Sequence, residues 1–138
     1  MSYLVDMDQS EILPGVLPVL DYLKANEQLI ALGSASKNAR PILEKTGILS
    51  YFDAIVDGND VSKAKPDPEV FLIAAQQLNT SPNDAIVFED SVAGIQAANI
   101  ANMTSIGIGD ATVLHEAQHN FKDFTFIGTS FLNELIEK

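Results

Sequence analysis

Residues 87–95, VFEDSVAGI, set Glu89 and Asp90 side by side at the end of an apolar run, with small residues directly after them. Left unpaired, two like charges this close repel, and one pKa rises. The structural alternative is that Asp90 caps the following helix and Glu89 is solvated. A second stretch, LGSASKN (32–38), places Ser34 at a strand end and then turns several backbone amides and the Ser36 hydroxyl toward one spot at a helix N-terminus. Such a spot binds anions, although an isolated Ser-Ala-Ser serves equally well as a plain helix cap. A third, SKAKPDPEVF (62–71), holds Lys65 between a loop and a proline-started helix. A lysine there is a compact point charge suited to a phosphate oxygen or a carboxylate, or else a solvated surface lysine like Lys63.

Two kinds of segment alternate to position these groups. LIALGSA (29–35), AIVDG (54–58), AIVFED (85–90), TSIGIGD (104–110) and FTFIG (124–128) are short β-prone runs ending in Gly, Ser or Asp. Helical spacing is found in 14–27, 38–47, 67–79, 91–102, a short 113–118 and 130–138. The punctuation agrees: Asp67 as N-cap with Pro68 at the first helical position and Glu69 in the first turn, Gly47 at a helix end, and Pro41 near a helix start. Strand and crossover helix in alternation predict an α/β fold, a Rossmann-like parallel sheet between two helical layers, with ligands beyond the carboxyl ends of its strands.

At 138 residues the chain has the length of one domain. It has no Cys, hence no disulfide and no thiolate chemistry. With 19 acidic against 8 basic residues its field repels polyanions, which argues against nucleic acid and anionic membranes as partners. No stretch has the length of a membrane span, and the N-terminus carries acids where a secretory signal carries basic residues, so the cytoplasm is the expected location.

Taken in order, PGV (14–16), GSASKN (33–38), YFDAIVDG (51–58), KPDPEVF (65–71) and FEDSVAGIQAA (88–98) resemble the haloacid-dehalogenase-like phosphotransferases, and in detail their β-phosphoglucomutase branch. The resemblance runs from about residue 10 to the C-terminus. It implies that Ser34 and the backbone of Ala35 hold the transferring phosphoryl group, and that Ser36, Lys37 and Asn38 line the second phosphate or the sugar. Lys65 would neutralise phosphoryl oxygens and the attacked carboxylate, and Glu89 and Asp90 would help bind Mg²⁺, to which hard oxygen ligands are suited. The implied activity interconverts β-glucose 1-phosphate and glucose 6-phosphate through an aspartyl phosphate. A phosphatase for a sugar phosphate or other small phosphorylated metabolite, or a sugar-phosphate and Mg²⁺ binding module without catalysis, are the alternatives.

The family's nucleophile is the first Asp of an Asp-x-Asp-Gly motif on the central strand, followed by a cap domain. Asp6 and Asp8 form an Asp-x-Asp, but Gln9 stands in place of Gly, and residues 9–13 are too few for the turn and flap that the family builds before the next helix. The expectation is therefore that residues 1–13 are the remnant of a cap helix and its linker, with Asp6 and Asp8 as surface acids. Residues 14–138 would form the core domain. The chain would be a fragment or a truncated gene product without a nucleophile, inactive by itself. It would lack the sheet's central strand, and the open gap would invite self-association through exposed edges.

Other features have plainer accounts. GIGD (107–110) lacks dinucleotide-fingerprint spacing, and Asp110 fits a turn. His115 and His119 would share a helix face, but no third metal ligand is near in sequence. Phe121, Phe124 and Phe126 are spaced for a strand and its approach. A receiver-like signalling domain would need its lysine late in the chain, whereas Lys65 precedes the Glu-Asp pair.

Overall fold

The computed structural model describes residues 2–5, 16–33, 49–57 and 59–137. Strands β1 (Ser2–Val5), β2 (Leu29–Gly33), β3 (Ala54–Val56), β4 (Ala85–Glu89), β5 (Thr104–Ile108) and β6 (His119–Phe121) form one sheet in the order β3-β2-β1-β4-β5-β6. All five pairings are parallel. Helices α1 (Val16–Ala25), α2 (Glu69–Gln77), α3 (Val92–Ile100) and α4 (Thr129–Glu137) cover it. Among the described residues, no helix is long and apolar enough to cross a membrane.

The period of two along a strand divides the core. Tyr3 and Val5 of β1, Ile30 and Leu32 of β2, and Ile86 and Phe88 of β4 join one cluster with Leu20 and Leu23 of α1 and Leu132 and Leu135 of α4. Leu4, Ala31, Ala85 and Val87 point the other way, into a cluster with α2 and α3. A sheet covered on both faces explains why its strands are continuously apolar.

Three expectations require correction. Residues 2–5 are extended, and the sheet has no open gap: β1 lies between β2 and β4 and pairs with both. A gap would leave two facing rows of backbone donors and acceptors unpaired, and Ser-Tyr-Leu-Val is β-prone enough to fill it. The supposed motive for self-association through inner edges goes with it. The last strand is not 124–128 but His119–Phe121. At Phe124–Phe126 the chain makes a 3₁₀ turn, because Asp123 caps it by accepting the Thr125 amide at 2.8 Å. Phe124 is buried there while Phe126 is exposed. Finally, 113–118 is a series of turns rather than a helix, so His115 and His119 share no helix face. The chain enters these turns at Asp110, whose carboxylate accepts the Thr112 amide and hydroxyl at 2.8 and 2.7 Å.

Local signals elsewhere hold with small shifts. Helix α2 begins at Glu69, and Pro68 rather than Asp67 is its cap residue, yet Asp67 still accepts the Glu69 amide at 3.0 Å. Glu69 in turn closes the preceding loop, accepting from the Ser62 amide and hydroxyl. Gly47 and Pro41 lie outside the described residues.

Candidate functional site

Strand β4 delivers Glu89 to the carboxyl end of the sheet, beside Gly107 of β5. The residue is 1% exposed, so its charge must be answered locally. Its Oε1 accepts from the Asp90 amide, the Ser91 amide and the Ser91 hydroxyl, each at 3.0 Å. These donors belong to the turn that leads into α3, at whose N-terminus the helix dipole also favours a carboxylate. Glu89 is therefore anchored rather than solvated. Ser91, not Asp90, is the N-cap of α3, its hydroxyl accepting the Gly94 amide at 3.0 Å.

The other oxygen, Oε2, accepts from Lys65 Nζ at 3.3 Å. This ion pair joins the loop before α2 to the tip of β4, with side chains 13% and 0% exposed. In so dry a place each charge depends on the other. Lys65 also lies over the Phe71 ring, 5.8 Å from its centroid.

Asp90 as a whole residue is exposed. Even so, burial of its carboxyl group and the adjacent Glu89 carboxylate push its pKa up to about 6, against the smaller opposing effects of its own backbone amide and of Lys65. Lys65 thus leaves the negative charge here only partly answered. A hard divalent cation fits that deficit and the all-oxygen donor set. Oε1 of Glu89 already has three donors, so Asp90 and Oε2 of Glu89 are the atoms with capacity left. Among the described residues, no third acid or His completes a metal cluster with them.

A charged constellation at the carboxyl end of a parallel sheet is where α/β folds place their ligands. The family model for haloacid dehalogenase-like hydrolase matches residues 1–102. The chain belongs to the haloacid dehalogenase-like hydrolases. Among its relatives in that family, the β-phosphoglucomutase of Bacillus subtilis is 43% identical over 99 residues, covering 72% of this chain and 44% of that protein. A phosphorylated carbohydrates phosphatase of Thermotoga maritima is 35% identical over 111 residues, 75% of this chain and 51% of that protein. The crystal structure of a β-phosphoglucomutase from Clostridium difficile superposes with a TM-score of 0.86 at 37% identity, covering 95% of this chain and 59% of that one. The chain spans about half the length of the curated relatives it matches.

Within this haloacid dehalogenase-like frame, Lys65 Nζ meets Glu89 and Asp90 adjoins it, three positions to which the resemblance assigns roles. Ser34, Ala35, Ser36, Lys37 and Asn38 lie outside the described residues, as do Asp6 and Asp8. What precedes them is described: β2 ends at Gly33, and β1 ends at Val5, opposite Leu32 and Phe88. Sequence reasoning missed one contributor and, away from it, one buried acid. Ser91 supplies two of the donors to Glu89, and its place as a Ser before a helix was a visible cap signal. Asp57, at the tip of β3, is buried at 2% exposure and accepts the Asn59 amide at 2.9 Å. The Asp-Gly that ends AIVDG marked a turn there but not a buried charge.

Proposed function

We propose that this chain carries the phosphoryl-handling site of a β-phosphoglucomutase-type phosphotransferase, interconverting β-glucose 1-phosphate and glucose 6-phosphate. The observation that supports it most is the buried Lys65–Glu89 pair beside Asp90 at the strand tips. Phosphoryl transfer depends on positioning and charge neutralisation, and this pair offers a fixed ammonium in a low-dielectric setting. In this reading Ser34 and the Ala35 amide hold the phosphoryl oxygens, Lys65 neutralises them, and Ser36, Lys37 and Asn38 meet the rest of the substrate. Glu89 and Asp90 would hold Mg²⁺, which supplies further charge neutralisation when bound. Sugar phosphates are anions retained by membranes, so the cytoplasm is the fitting location.

The transfer also needs a nucleophilic carboxylate. Strand β1 gives Asp6 a claim to that role, because the central strand ends at Val5, one residue below the level of Glu89, and Asp6 follows in the chain. The missing Gly and the short connection to Pro14 count against it. Incubation with β-glucose 1,6-bisphosphate and Mg²⁺ separates the cases. A covalently phosphorylated chain whose label is lost in Asp6→Asn assigns the nucleophile, whereas sugar-phosphate binding without any label leaves a binding module.

A phosphatase is the second reading, favoured by the likeness to the Thermotoga maritima enzyme, whose name places phosphorylated carbohydrates as its substrates. Release of inorganic phosphate rather than formation of the isomer would select it. Under either reading, Lys65→Met should weaken glucose 6-phosphate binding in Mg²⁺ by about tenfold or more, the loss of one charged hydrogen bond. Unchanged affinity by calorimetry would remove Lys65 from the site.

A further inference from the structure

We propose that Gly94, in the first turn and a half of α3, is a positioning residue for Lys65, acting through Glu89. This rests on the reading in which Lys65 meets the phosphoryl group. A Cβ built at Gly94 would lie 1.9 Å from Cδ of Glu89, 2.0 Å from its Oε2 and 2.2 Å from its Cγ. These are bonded-range separations, far beyond what a small relaxation could absorb. The space a side chain would occupy is the space the carboxylate fills.

Glu89 has nowhere equivalent to go. It is buried, and its Oε1 is held by the Asp90 amide, the Ser91 amide and the Ser91 hydroxyl. The Ser91 hydroxyl is itself fixed by accepting the Gly94 amide, so the start of α3 opens the space and the two residues just before it supply the donors. Pushing the carboxylate out breaks its contact with Lys65 Nζ. Helix propensity points the other way, since Gly in a helix interior is less favourable than Ala. The glycine therefore opposes local preference, and the carboxylate beneath it is the physical reason.

A double-mutant cycle of Gly94→Ala with Glu89→Ala tests this, with two readouts. One is the ¹H–¹⁵N signal of the Lys65 ammonium, and the other is inorganic phosphate binding in Mg²⁺ by calorimetry. Gly94→Ala is expected to move the Lys65 signal toward its position in Glu89→Ala and to weaken phosphate binding about tenfold. In the Glu89→Ala background the same substitution should change affinity by no more than about twofold, because the new methyl enters vacated space. An unmoved Lys65 signal in folded Gly94→Ala, or a full second loss in the Glu89→Ala background, overturns the proposal. If Gly94→Ala alone does not fold, the pair must, and an unfolded pair overturns it too. Should the unsubstituted chain bind no phosphate, the proposed function fails, while the Lys65 signal still decides the role of Gly94.

Discussion

The two faces of the sheet are filled by different means. On one, Tyr3, Ile30, Leu32, Ile86 and Phe88 meet the leucines of α1 and α4. On the other, Ala31 and Ala85 meet Ala74 and Ala75 of α2 and Ala97 and Ala98 of α3, with Phe71 and Met103 the largest members. The distance between packed elements follows the size of the side chains at the contact, so the alanine-rich face is the one whose composition suits a close approach of helices to strands. That face carries the two helices whose leading ends supply the site: Lys65 precedes α2, and Glu89 to Ser91 precede α3. The bulky face provides buried volume, and the close face provides position.

Substituting one residue on each face is the most forceful way to break this contrast. Leu20→Ala on the bulky face should cost about 2–5 kcal/mol as a cavity. It should leave phosphate binding by the still-folded protein unchanged. Ala97→Leu on the close face should cost about 1–3 kcal/mol by overpacking. Because it lifts α3 from the sheet, it should also weaken phosphate binding. Chemical denaturation and calorimetry on the same samples give both quantities. Equal binding losses from the two variants would mean that the faces do not divide the work in this way.

A smaller effect sharpens the comparison, because the bulky face contains a flaw. The Tyr3 hydroxyl is buried without a hydrogen-bond partner among the described residues, while its ring stacks on Phe88 at 6.2 Å. Burial, and secondarily Tyr22, push its pKa up to about 12. An unsatisfied buried hydroxyl costs about 1–3 kcal/mol, so Tyr3→Phe should stabilise the protein by about 1 kcal/mol or more in urea unfolding. Destabilisation would mean that the hydroxyl has a partner.

These residues also mark what the sequence discloses. Strands β2 to β5 are legible because each lies in a short apolar run closed by Gly, Ser or Asp, and the helices by their spacing, with Asp67, Pro68 and Glu69 marking the start of α2. Strand β1 is not. Ser-Tyr-Leu-Val is β-prone, but Gln9 and the short connection to Pro14 speak for a cap remnant and linker, and the strand's place is decided by a vacancy between β2 and β4 that exists only in three dimensions. Likewise, Lys65, Glu89 and Asp90 could be named from the family resemblance, whereas Lys65 taken alone reads as a solvated surface lysine. That Glu89 is anchored beneath the first turn of α3 depends on the absent side chain of Gly94 and on Ser91, a nonlocal fit. At the C-terminal end, Asp123 and Asp110 overrode apolar spacing through side-chain bonds to the backbone, which is why Phe124–Phe126 turns instead of pairing.

The least of the expected effects lies at the close face's own tip. The Asp90 pKa rises from its ordinary value near 3.8 to about 6, first through burial and then through Glu89. A carboxyl group whose pKa is higher folded than unfolded favours folding most while protonated. Its contribution is therefore fully present below pH about 4 and is lost as pH rises through about 6. Asp90→Asn should then raise metal-free stability at pH 7.5 by about 1 kcal/mol, the full shift discounted because solvent reaches the residue. The difference should vanish near pH 4. Saturating Mg²⁺ should narrow or reverse the gap at pH 7.5, since the cation rewards the charge that the empty fold penalises. Thermal melts from pH 4 to 8 with and without Mg²⁺ read all three. A wild-type chain that matches Asp90→Asn at pH 7.5 without metal would mean that the strand tips carry no excess charge and need no cation to balance it.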